Sequence, residues 1–244
     1  MLKDPSPPSK FTHRAAGRSA IAKLNEYVLI KTSTEREKEV YEAMPDPLKP
    51  FVPKFHGVAD IYSSDESNLL LENLVAGMEM PCAMDLKVGQ RQHTDEDGHE
   101  KVLKKTLLAK STTSSTMGLR LHGLKAICYN MDKYQGRALD KDGLTSVILK
   151  FLPTAVLKQD ALCQLKDLIA VLQDLPGCRF YTCSLLLVYD GAAITDQNVK
   201  VKMIDFACST VPNGSKIWNA YQDPDNNFLQ GLRQLETILN SYCY

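Results

Sequence analysis

The sequence lacks several features that would assign it quickly. Its 29 basic and 29 acidic residues cancel, so no overall field attracts polyanions and an anion site has to be a local cluster. No apolar run approaches the roughly 18 residues that a membrane helix needs, and the first ten residues contain no apolar segment of the signal-peptide kind. We therefore expect no membrane insertion, no nucleic-acid partner, and a location in the cytoplasm and also in the nucleus.

Cysteine pairs and common nucleotide motifs are also missing. The seven cysteines are odd in number, and none forms a C-x-x-C pair or alternates with histidines at the spacing of zinc ligands. Such thiols are typical of a reduced intracellular protein. The sequence contains no G-x-x-x-x-G-K-[ST], G-x-G-x-x-G or H-R-D motif, which argues against a P-loop site, a dinucleotide-binding fold and a protein kinase.

The first 75 residues have the pattern of a small β-rich lobe with one helix. A chain of 244 residues with 44% hydrophobic residues is long enough for one large or two small domains. Residues 1–12 contain three prolines and few apolar side chains, so we expect a loose tail. The pattern then predicts a strand at 26–31, a helix at 34–44 and a hairpin formed by 53–62 and 68–74.

Residues 76–244 have the pattern of a larger mixed lobe. Its most regular segment is 160–175, where leucines recur at helical spacing before Pro176 and Gly177. The last helix carries Phe228, Leu232, Leu235 and Leu239. The remaining predicted elements are a strand at 81–89, a helix at 98–110, strands within 118–130, a helix at 143–152 after Asp142, and a hairpin formed by 178–190 and 198–207.

Two short runs carry the chemistry. In residues 81–89 (PCAMDLKVG), Asp85 and Lys87 are two apart on a predicted strand, so their side chains share one face. In residues 203–207 (MIDFA), apolar residues lead to Asp205 and Phe206, the way in which kinase-like sites deliver a carboxylate to a phosphate-bound metal. The alternatives are two solvated charges for the first run and a helix-capping or hairpin aspartate for the second. Together the runs favour phosphoryl transfer.

Lysines supply two further candidates. Lys31 follows three apolar residues on a strand and precedes a charged helix, where kinases present a lysine to the α- and β-phosphates of ATP. Its alternative is an edge-strand lysine in solvent, and its helix partner stays open among Glu35, Glu37 and Glu39. The second candidate is a cluster at helical spacing that binds a polyphosphate or simply forms a solvated face. Its members are Lys101, Lys104 and Lys105.

Several stretches resemble the inositol polyphosphate kinase family, in the family's order. Its signature P-x-x-x-D-x-K-x-G is matched by Pro81, Asp85, Lys87 and Gly89. Residues 89–97 (GQRQHTDED) and 111–123 (STTSSTMGLRLHG) are most similar to the inositol hexakisphosphate kinases within that family. The other matching stretches are 69–73 (LLLEN), 134–139 (YQGRAL), 179–191 (RFYTCSLLLVYDG) and 201–210 (VKMIDFACST).

The resemblance implies a fold and a nucleotide site. The fold would be α+β, kinase-like and two-lobed, with a small β-rich lobe (1–75), a larger mixed lobe (76–244) and a compact inositol-binding helical insert at about 90–112. ATP would place its base at the hinge between Glu72 and Leu74 and its ribose at Asp85, with Mg²⁺ on Asp205. Ser184, in the family's S-L-L motif, would touch phosphate or metal, unless its hydroxyl only bonds to the strand backbone.

The resemblance also implies an acceptor site. Lys87 would act beside the transferred phosphoryl group and, with Asp205, form the catalytic pair. Arg91 and His93 would help the lysine cluster, although Asp95, Glu96 and Asp97 suggest that part of this loop is solvated. Cys208 stands where the family commonly has a His or Lys that contacts the substrate, which weakens or moves that contact.

The sequence thus predicts a monomeric, ATP-dependent kinase that converts inositol hexakisphosphate to a diphosphoinositol pentakisphosphate. A multikinase or trisphosphate kinase that acts on a ring hydroxyl is the alternative within the family. A non-catalytic inositol phosphate sensor is the alternative from another class. Retention of the lysines and of Asp205 argues against the sensor, because binding alone does not need the metal carboxylate.

Overall fold

The computed structural model describes residues 9–11, 15, 20–59, 67–194, 199–212 and 221–241. Most of the predicted tail and the segment that joins the two strands of the predicted 53–74 hairpin lie outside these residues. Within them, no helix combines the length and the apolarity that crossing a bilayer requires.

The first sheet is built from the N-terminal part of the chain. All its pairings are antiparallel, in the order β1-β2-β3-β5-β4. Its strands are β1 (Ser9–Lys10), β2 (Ile21–Lys23), β3 (Val28–Ser33), β4 (Phe55–Val58) and β5 (Ser67–Glu72).

The loose tail predicted for residues 1–12 is wrong at Ser9 and Lys10. Ser9 lies opposite Lys23, and Lys10 lies opposite Ala22. Backbone hydrogen bonds to a neighbouring strand need no apolar side chains, so the polar composition that predicted a tail does not prevent an edge strand.

Helix α1 (Glu35–Glu42) follows this sheet's central strand, as predicted for 34–44. The side chain of Thr34 caps the helix by accepting a hydrogen bond from the Glu37 N–H. A 3₁₀ helix follows at Asp46–Phe51, because Pro45 and Pro47 prevent the α-helix from continuing.

The second sheet occupies the larger part of the chain and is also antiparallel. Its order is β11-β10-β6-β7-β8, with β6 in the centre. The strands are β6 (Pro81–Val88), β7 (Leu119–Lys125), β8 (Asn130–Met131), β10 (Ser184–Asp190) and β11 (Lys200–Ile204), and a separate ladder pairs β9 (Arg179–Phe180) with β12 (Ser209–Thr210). The two sheets fit the two predicted lobes, while the boundary between residues 75 and 76 stays a prediction.

Helices accompany the second sheet, and two of them begin earlier than their patterns predicted. Asp140, not Asp142, caps α5 by accepting from the Gly143 N–H at 2.8 Å, and Thr154 caps α6. The sequence also missed the two short helices α3 and α4. The helices are α2 (His99–Lys110), α3 (Ser114–Met117), α4 (Lys133–Ala138), α5 (Lys141–Phe151), α6 (Ala155–Gln173) and α7 (Asn226–Asn240).

Strand β6 separates the core from the site. Its alternate residues Met84, Leu86 and Val88 are fully buried in the apolar core, to which α6 and α7 contribute their leucines. The side chains between them, Asp85 and Lys87, therefore point to the opposite face. Burying one face of the strand against helices thus fixes which two charged groups the other face presents.

Helix α7 packs closely against the start of β7, where a glycine of the helix meets a glycine that precedes the strand. A Cβ on Gly231 would clash with the carbonyl oxygen of Gly118 and lie 2.7 Å from Cγ1 of Val88. Gly118 ends α3 with a φ of 63°, a left-handed conformation that glycine adopts without strain. The helix and the strand can therefore meet only while position 231 has no side chain.

We predict that Gly231→Ala lowers the free energy of unfolding by about 1–3 kcal/mol, because overpacking outweighs the better helix propensity of alanine. Urea denaturation followed by circular dichroism measures the change. Gln230→Ala, at an exposed position of the same helix, is the matched control and should change stability by less than about 0.5 kcal/mol. Equal stabilities of the two variants would contradict the close approach.

Candidate active site

The predicted pair on β6 faces a cleft between the two sheets. Asp85 is 2% exposed and Lys87 is 9% exposed, so neither is the solvated surface charge that was the alternative. Lys87 lies opposite Ser184 on β10 and opposite Arg120 on β7. The strand pairing thus brings the S-L-L serine beside the signature lysine.

Asp205 is the centre of the cleft. One carboxylate oxygen, Oδ1, accepts from Nζ of Lys31 at 2.9 Å, and the other accepts from Nζ of Lys87 at 3.3 Å. Burial opposes ionisation, but Lys87 and Lys31 outweigh it and hold the pKa of Asp205 well below its usual range. A carboxylate that stays ionised in a buried cleft is suited to a metal ion or to fixing cations.

Lys31 has a defined helix partner. Its Nζ donates to Oε1 of Glu37 at 2.8 Å, which decides among the three glutamates that the sequence left open. Glu37 also accepts from the Phe206 N–H at 2.8 Å and from the Ser33 hydroxyl. Burial lowers the pKa of Lys31, yet Asp205 and Glu37 more than compensate and raise it, so the lysine stays charged.

A strained backbone holds the ammonium group of Lys87. Its Nζ donates to the carbonyl oxygen of Thr182 at 2.6 Å. Among the described residues other than glycine, positive φ occurs at Thr182 (59°) and Asp205 (67°). Both residues contact Lys87, and a β-branched residue in this region is strained. Sequence reasoning missed Thr182, because backbone strain leaves no mark in the residue pattern.

The predicted nucleotide-binding residues line one open cavity, which contains about 800 Å³ of empty space including adjoining solvent. Its walls are largely apolar, and Lys31, Asp85 and Asp205 bring charge to it. The predicted hinge residues Glu72 and Leu74 also line it. A largely apolar cavity with a few charged groups has the chemistry of a cofactor site.

The hinge backbone leaves one donor for a base. The Glu72 N–H donates to the Lys54 carbonyl oxygen at 2.9 Å, and the Leu74 carbonyl accepts from Nζ of Lys200 at 2.7 Å. The Leu74 N–H has no hydrogen-bond partner within the described part of the chain. The Leu74 N–H can therefore donate to a base placed at the predicted hinge.

Asp85 carries a perturbed carboxyl group. Its burial raises the pKa to about 6, although the positive charge of Lys87 acts in the opposite direction. The carboxyl group therefore binds a proton more tightly in the folded chain than in the unfolded one.

The three lysines of α2 are not equivalent. Lys101 pairs with Oδ1 of Asp97 at 2.6 Å, and Lys105 lies 3.8 Å from Oδ2 of the same carboxylate. Burial lowers the pKa of Lys105, and the positive charges of Lys101 and Lys87 act in the same direction, whereas Asp97 opposes them. Lys105 therefore lies toward the cleft.

Lys104 is exposed and has no ion pair within the described residues. The structure thus connects only part of the predicted lysine cluster to the cleft.

The loop before α2, which was predicted to be partly solvated, makes several side-chain contacts. Arg91 pairs with Asp95 and lies over the ring of Tyr181, 4.6 Å from its centre. The carboxylates of Asp95 and Glu96 are half exposed, but that of Asp97 is only 8% exposed. Part of the loop is therefore solvated, as expected, at Asp95 and Glu96, whereas the lysines of α2 fold over the carboxylate of Asp97.

His93 contacts its own loop, with Nδ1 at 3.4 Å from the Thr94 carbonyl oxygen. The substrate roles of Arg91 and His93 stay predictions, because Arg91 is held by an acid and His93 by a backbone carbonyl.

Arg120 is a functional candidate that sequence reasoning missed. It is 5% exposed, and its Nε and Nη1 atoms are buried without hydrogen-bond partners among the described residues. Burial, followed by the charge of Arg137, lowers its pKa to about 10. A buried guanidinium without partners is costly unless an anion completes its hydrogen bonds. Its position opposite Lys87 on β7 could have been read from the alternating pattern of 118–130.

The metal candidates form a sparse set. The described residues contain no group of three or more His, Cys, Asp or Glu side chains that could hold a metal ion. Asp205, with Ser184 on the strand that pairs with β11, fits an ion that takes one or two protein ligands and obtains the others from phosphates. This donor set suits Mg²⁺ better than zinc.

Two solved structures share this fold. An inositol phosphate multikinase Ipk2 from S. cerevisiae, solved in complex with ADP and Mn²⁺, superposes with a TM-score of 0.79 at 21% identity, covering 89% of this chain and 100% of that one. A second inositol phosphate multikinase structure gives a TM-score of 0.68 at 24% identity, covering 84% and 98%. The predicted α+β, kinase-like fold is therefore confirmed.

Sequence comparison gives the family. The model of the family described as "Inositol polyphosphate kinase" matches residues 68–240. The chain belongs to the inositol polyphosphate kinase family, as the signature predicted.

Its relatives include inositol hexakisphosphate kinase 3 of Mus musculus, 32% identical over 196 residues. Inositol hexakisphosphate kinase 2 of Oryctolagus cuniculus is 35% identical over 214 residues. Both alignments cover 70% of this chain and 50% of the relative, so the chain spans about half the length of these relatives.

The perturbed pKa of Asp85 gives a stability prediction. Its folded value of about 6 lies above the reference value of 3.8, so protonation stabilises the folded state and stability falls as the pH rises from about 4 through 6. Asp85→Asn, which mimics the neutral form, should raise the free energy of unfolding at pH 7 by up to about 3 kcal/mol.

Urea denaturation at pH 4.5 and 7 measures this difference. The advantage of the variant should shrink at the lower pH, where Asp85 of the parent is protonated. Asp167→Asn, at an exposed position of α6, is the control and should keep the parent's pH profile. A constant difference between Asp85→Asn and the parent at both pH values would contradict the raised pKa.

Proposed function

We propose that this chain is an ATP-dependent kinase that phosphorylates soluble inositol polyphosphates, with inositol hexakisphosphate as the preferred acceptor and a diphosphoinositol pentakisphosphate as the product. The observation that carries the proposal is the position of Lys87. Its ammonium group contacts the Asp205 carboxylate at 3.3 Å, and its strand neighbour is the unpartnered Arg120. One cation thus lies between a metal-binding carboxylate and a group that needs an anion.

The nucleotide side follows from the cleft. Lys31, fixed by Glu37, would bind the α- and β-phosphates, and the hinge at Leu74 would bind the base. A metal ion on Asp205 would neutralise phosphate charge, and we propose Mg²⁺ for this role. The yeast multikinase structure, solved with ADP and Mn²⁺, supports a nucleotide and a divalent metal for this site.

The transfer needs positioning and charge more than a base. A phosphate oxygen of the acceptor is ionised at neutral pH, so it can attack the γ-phosphorus directly while the bond from that phosphorus to the β,γ-bridging oxygen breaks and ADP leaves. Lys87 would stabilise the charge on the transferred group. Burial, with the charges of Lys87 and Arg120, lowers the pKa of His122 to about 4, which makes this nearby imidazole a poor base.

The weak basicity of His122 also argues against the alternative within the family. A multikinase or trisphosphate kinase phosphorylates a ring hydroxyl, whose proton has to leave during the transfer. We propose an acceptor that is already ionised, because His122 is a poor base and Asp85 is assigned to the ribose. The hexakisphosphate kinase relatives support the same choice.

A phosphorylation assay tests the proposal. The chain is incubated with Mg-ATP and a panel of inositol tris- to hexakisphosphates, and the products are separated by charge. We expect hexakisphosphate to give the highest kcat/KM and less phosphorylated inositols to react more slowly. Reaction with a single trisphosphate isomer, without conversion of hexakisphosphate at millimolar concentration, would favour the multikinase alternative. Binding without turnover would favour the sensor.

Oligomeric state and location are part of the proposal. We propose a monomer in the cytoplasm and also in the nucleus. Size-exclusion chromatography with light scattering and microscopy of a tagged protein would test the two statements separately.

We predict that Asp205→Asn folds but loses turnover by about a thousandfold or more, because the metal loses its charged ligand and Lys31 and Lys87 lose theirs. Kinase assays with Mg²⁺ as the only metal measure turnover, and circular dichroism checks the fold. Binding of ATP without metal should change much less. A variant with near-normal turnover would contradict the role of Asp205.

Two lysines should separate catalysis from acceptor binding. Lys87→Ala should lower kcat as well as acceptor affinity, whereas Lys105→Ala should mainly raise KM for the inositol phosphate, equivalent to about 1.5–3 kcal/mol. Steady-state kinetics with each variant measures the split.

Lys104→Ala is the matched control on the same helix, because Lys104 is exposed and should raise KM less than Lys105→Ala does. Equal effects of the two helix variants, or an unchanged KM in both, would contradict the placement of Lys105 and leave α2 with a solvated basic face.

A further inference from the structure

The acceptor side of the cleft contains a buried acid among its cations. The carboxylate of Asp97 accepts from Lys101 at 2.6 Å and from the Thr94 N–H at 3.1 Å, and it lies 3.8 Å from Nζ of Lys105. Only 8% of this side chain is exposed. One carboxylate therefore contacts two of the α2 lysines that were predicted to bind the acceptor.

Asp97 compensates the charges of Lys101 and Lys105 to different degrees. Lys101 is tightly paired although its side chain is 54% exposed. Lys105 is 24% exposed, with a longer separation of 3.8 Å from Asp97, and Lys87 lies near enough for its positive charge to act on it. Asp97 thus neutralises the outer lysine and opposes part of the charge of the inner one.

A fixed negative charge here acts against polyanions in proportion to their charge. Each phosphate that enters the site gains attraction to Lys105, Lys87 and Arg120 and meets repulsion from Asp97. The repulsion grows with the number of phosphates held nearby. An acceptor with more phosphates therefore loses more affinity to Asp97 than one with fewer.

We propose that Asp97 is a specificity-determining residue that sets the charge preference of the acceptor site, by opposing Lys101 and Lys105 and so weakening the binding of the most highly phosphorylated inositols. This inference rests on the proposed function. In this role Asp97 would discriminate between acceptors by repelling the most highly phosphorylated inositols.

A purely structural role for Asp97 predicts a different result. If the carboxylate only fixes the loop and positions the lysines, its loss loosens Lys105 and raises KM for every acceptor. If Asp97 acts by its charge, its loss lowers KM, and most for hexakisphosphate. The sign of the change and its dependence on phosphate number thus distinguish the two roles.

The experiment compares the parent with Asp97→Asn, Asp97→Glu and Glu100→Gln. KM and kcat are measured for inositol trisphosphate and hexakisphosphate at low salt, about 50 mM, where screening is weak. Asp97→Asn should lower KM for hexakisphosphate by about threefold to tenfold and KM for trisphosphate by less than twofold, with KM for ATP unchanged.

The controls separate charge from structure. Asp97→Glu keeps the charge and should keep the parent's ratio of the two KM values. Glu100→Gln makes the same charge change at an exposed position in the first turn of α2, and it should shift the ratio by less than twofold. The effect of Asp97→Asn should also shrink at high salt, because ions screen the repulsion.

The outcomes separate this inference from the proposed function. Active parent enzyme with a raised KM in Asp97→Asn, or with equal shifts for both acceptors, overturns the inference and leaves the function standing. Calorimetric titration of hexakisphosphate without ATP covers the other case. If the parent binds it but transfers no phosphate, the proposed function fails, and tighter binding by Asp97→Asn still supports the role of Asp97. Absence of both binding and turnover overturns both.

Discussion

The structure depends on one charge network, in which the partly exposed carboxylate of Asp205 lies between the buried Lys31 and Lys87. Lys31 belongs to β3 of the first sheet, Lys87 to β6 of the second, and Asp205 follows β11. The two lysine contacts, 2.9 and 3.3 Å long, therefore tie the sheets together across the cleft. A buried charge is tolerable only when it is compensated, and the side chains of Lys31 and Lys87 are only 8% and 11% exposed. Both lysines therefore need an anionic partner in the cleft.

The network also explains the strained backbone. Asp205 and Thr182 both adopt left-handed conformations, and both supply oxygen atoms to Nζ of Lys87. Strain of this kind persists only where the surroundings hold it in place. The two oxygens fix the ammonium group from two directions, so Lys87 enters a reaction with little freedom left to lose. A surface lysine, with several rotatable bonds, would lack this preorganisation.

The sequence predicted the parts of the site that follow from periodicity. Strand alternation placed Asp85 and Lys87 on one face, and the family signature gave the fold and the family. The sequence alone could not select Glu37 rather than Glu35 or Glu39 as the partner of Lys31. All three lie within two turns of one helix, and the way in which α1 packs against β3 determines which of them reaches the lysine. Thr182 was missed, and Asp97 was interpreted as part of a solvated loop, for related reasons. A backbone carbonyl has no residue identity, and the burial of an acid depends on a helix that folds over it.

Binding of a nucleotide and a metal would change the pairing of Asp205. Both oxygens of Asp205 are engaged by lysines, whereas the proposed metal needs at least one of them. Phosphates entering the cleft can take over Lys31 and Lys87, because a phosphate oxygen is as good an acceptor for an ammonium group as a carboxylate oxygen. The exchange leaves each lysine paired and frees Asp205 for the cation that accompanies the phosphates. Nucleotide and metal would therefore bind together more readily than either alone, since each removes the charge that the other would leave uncompensated.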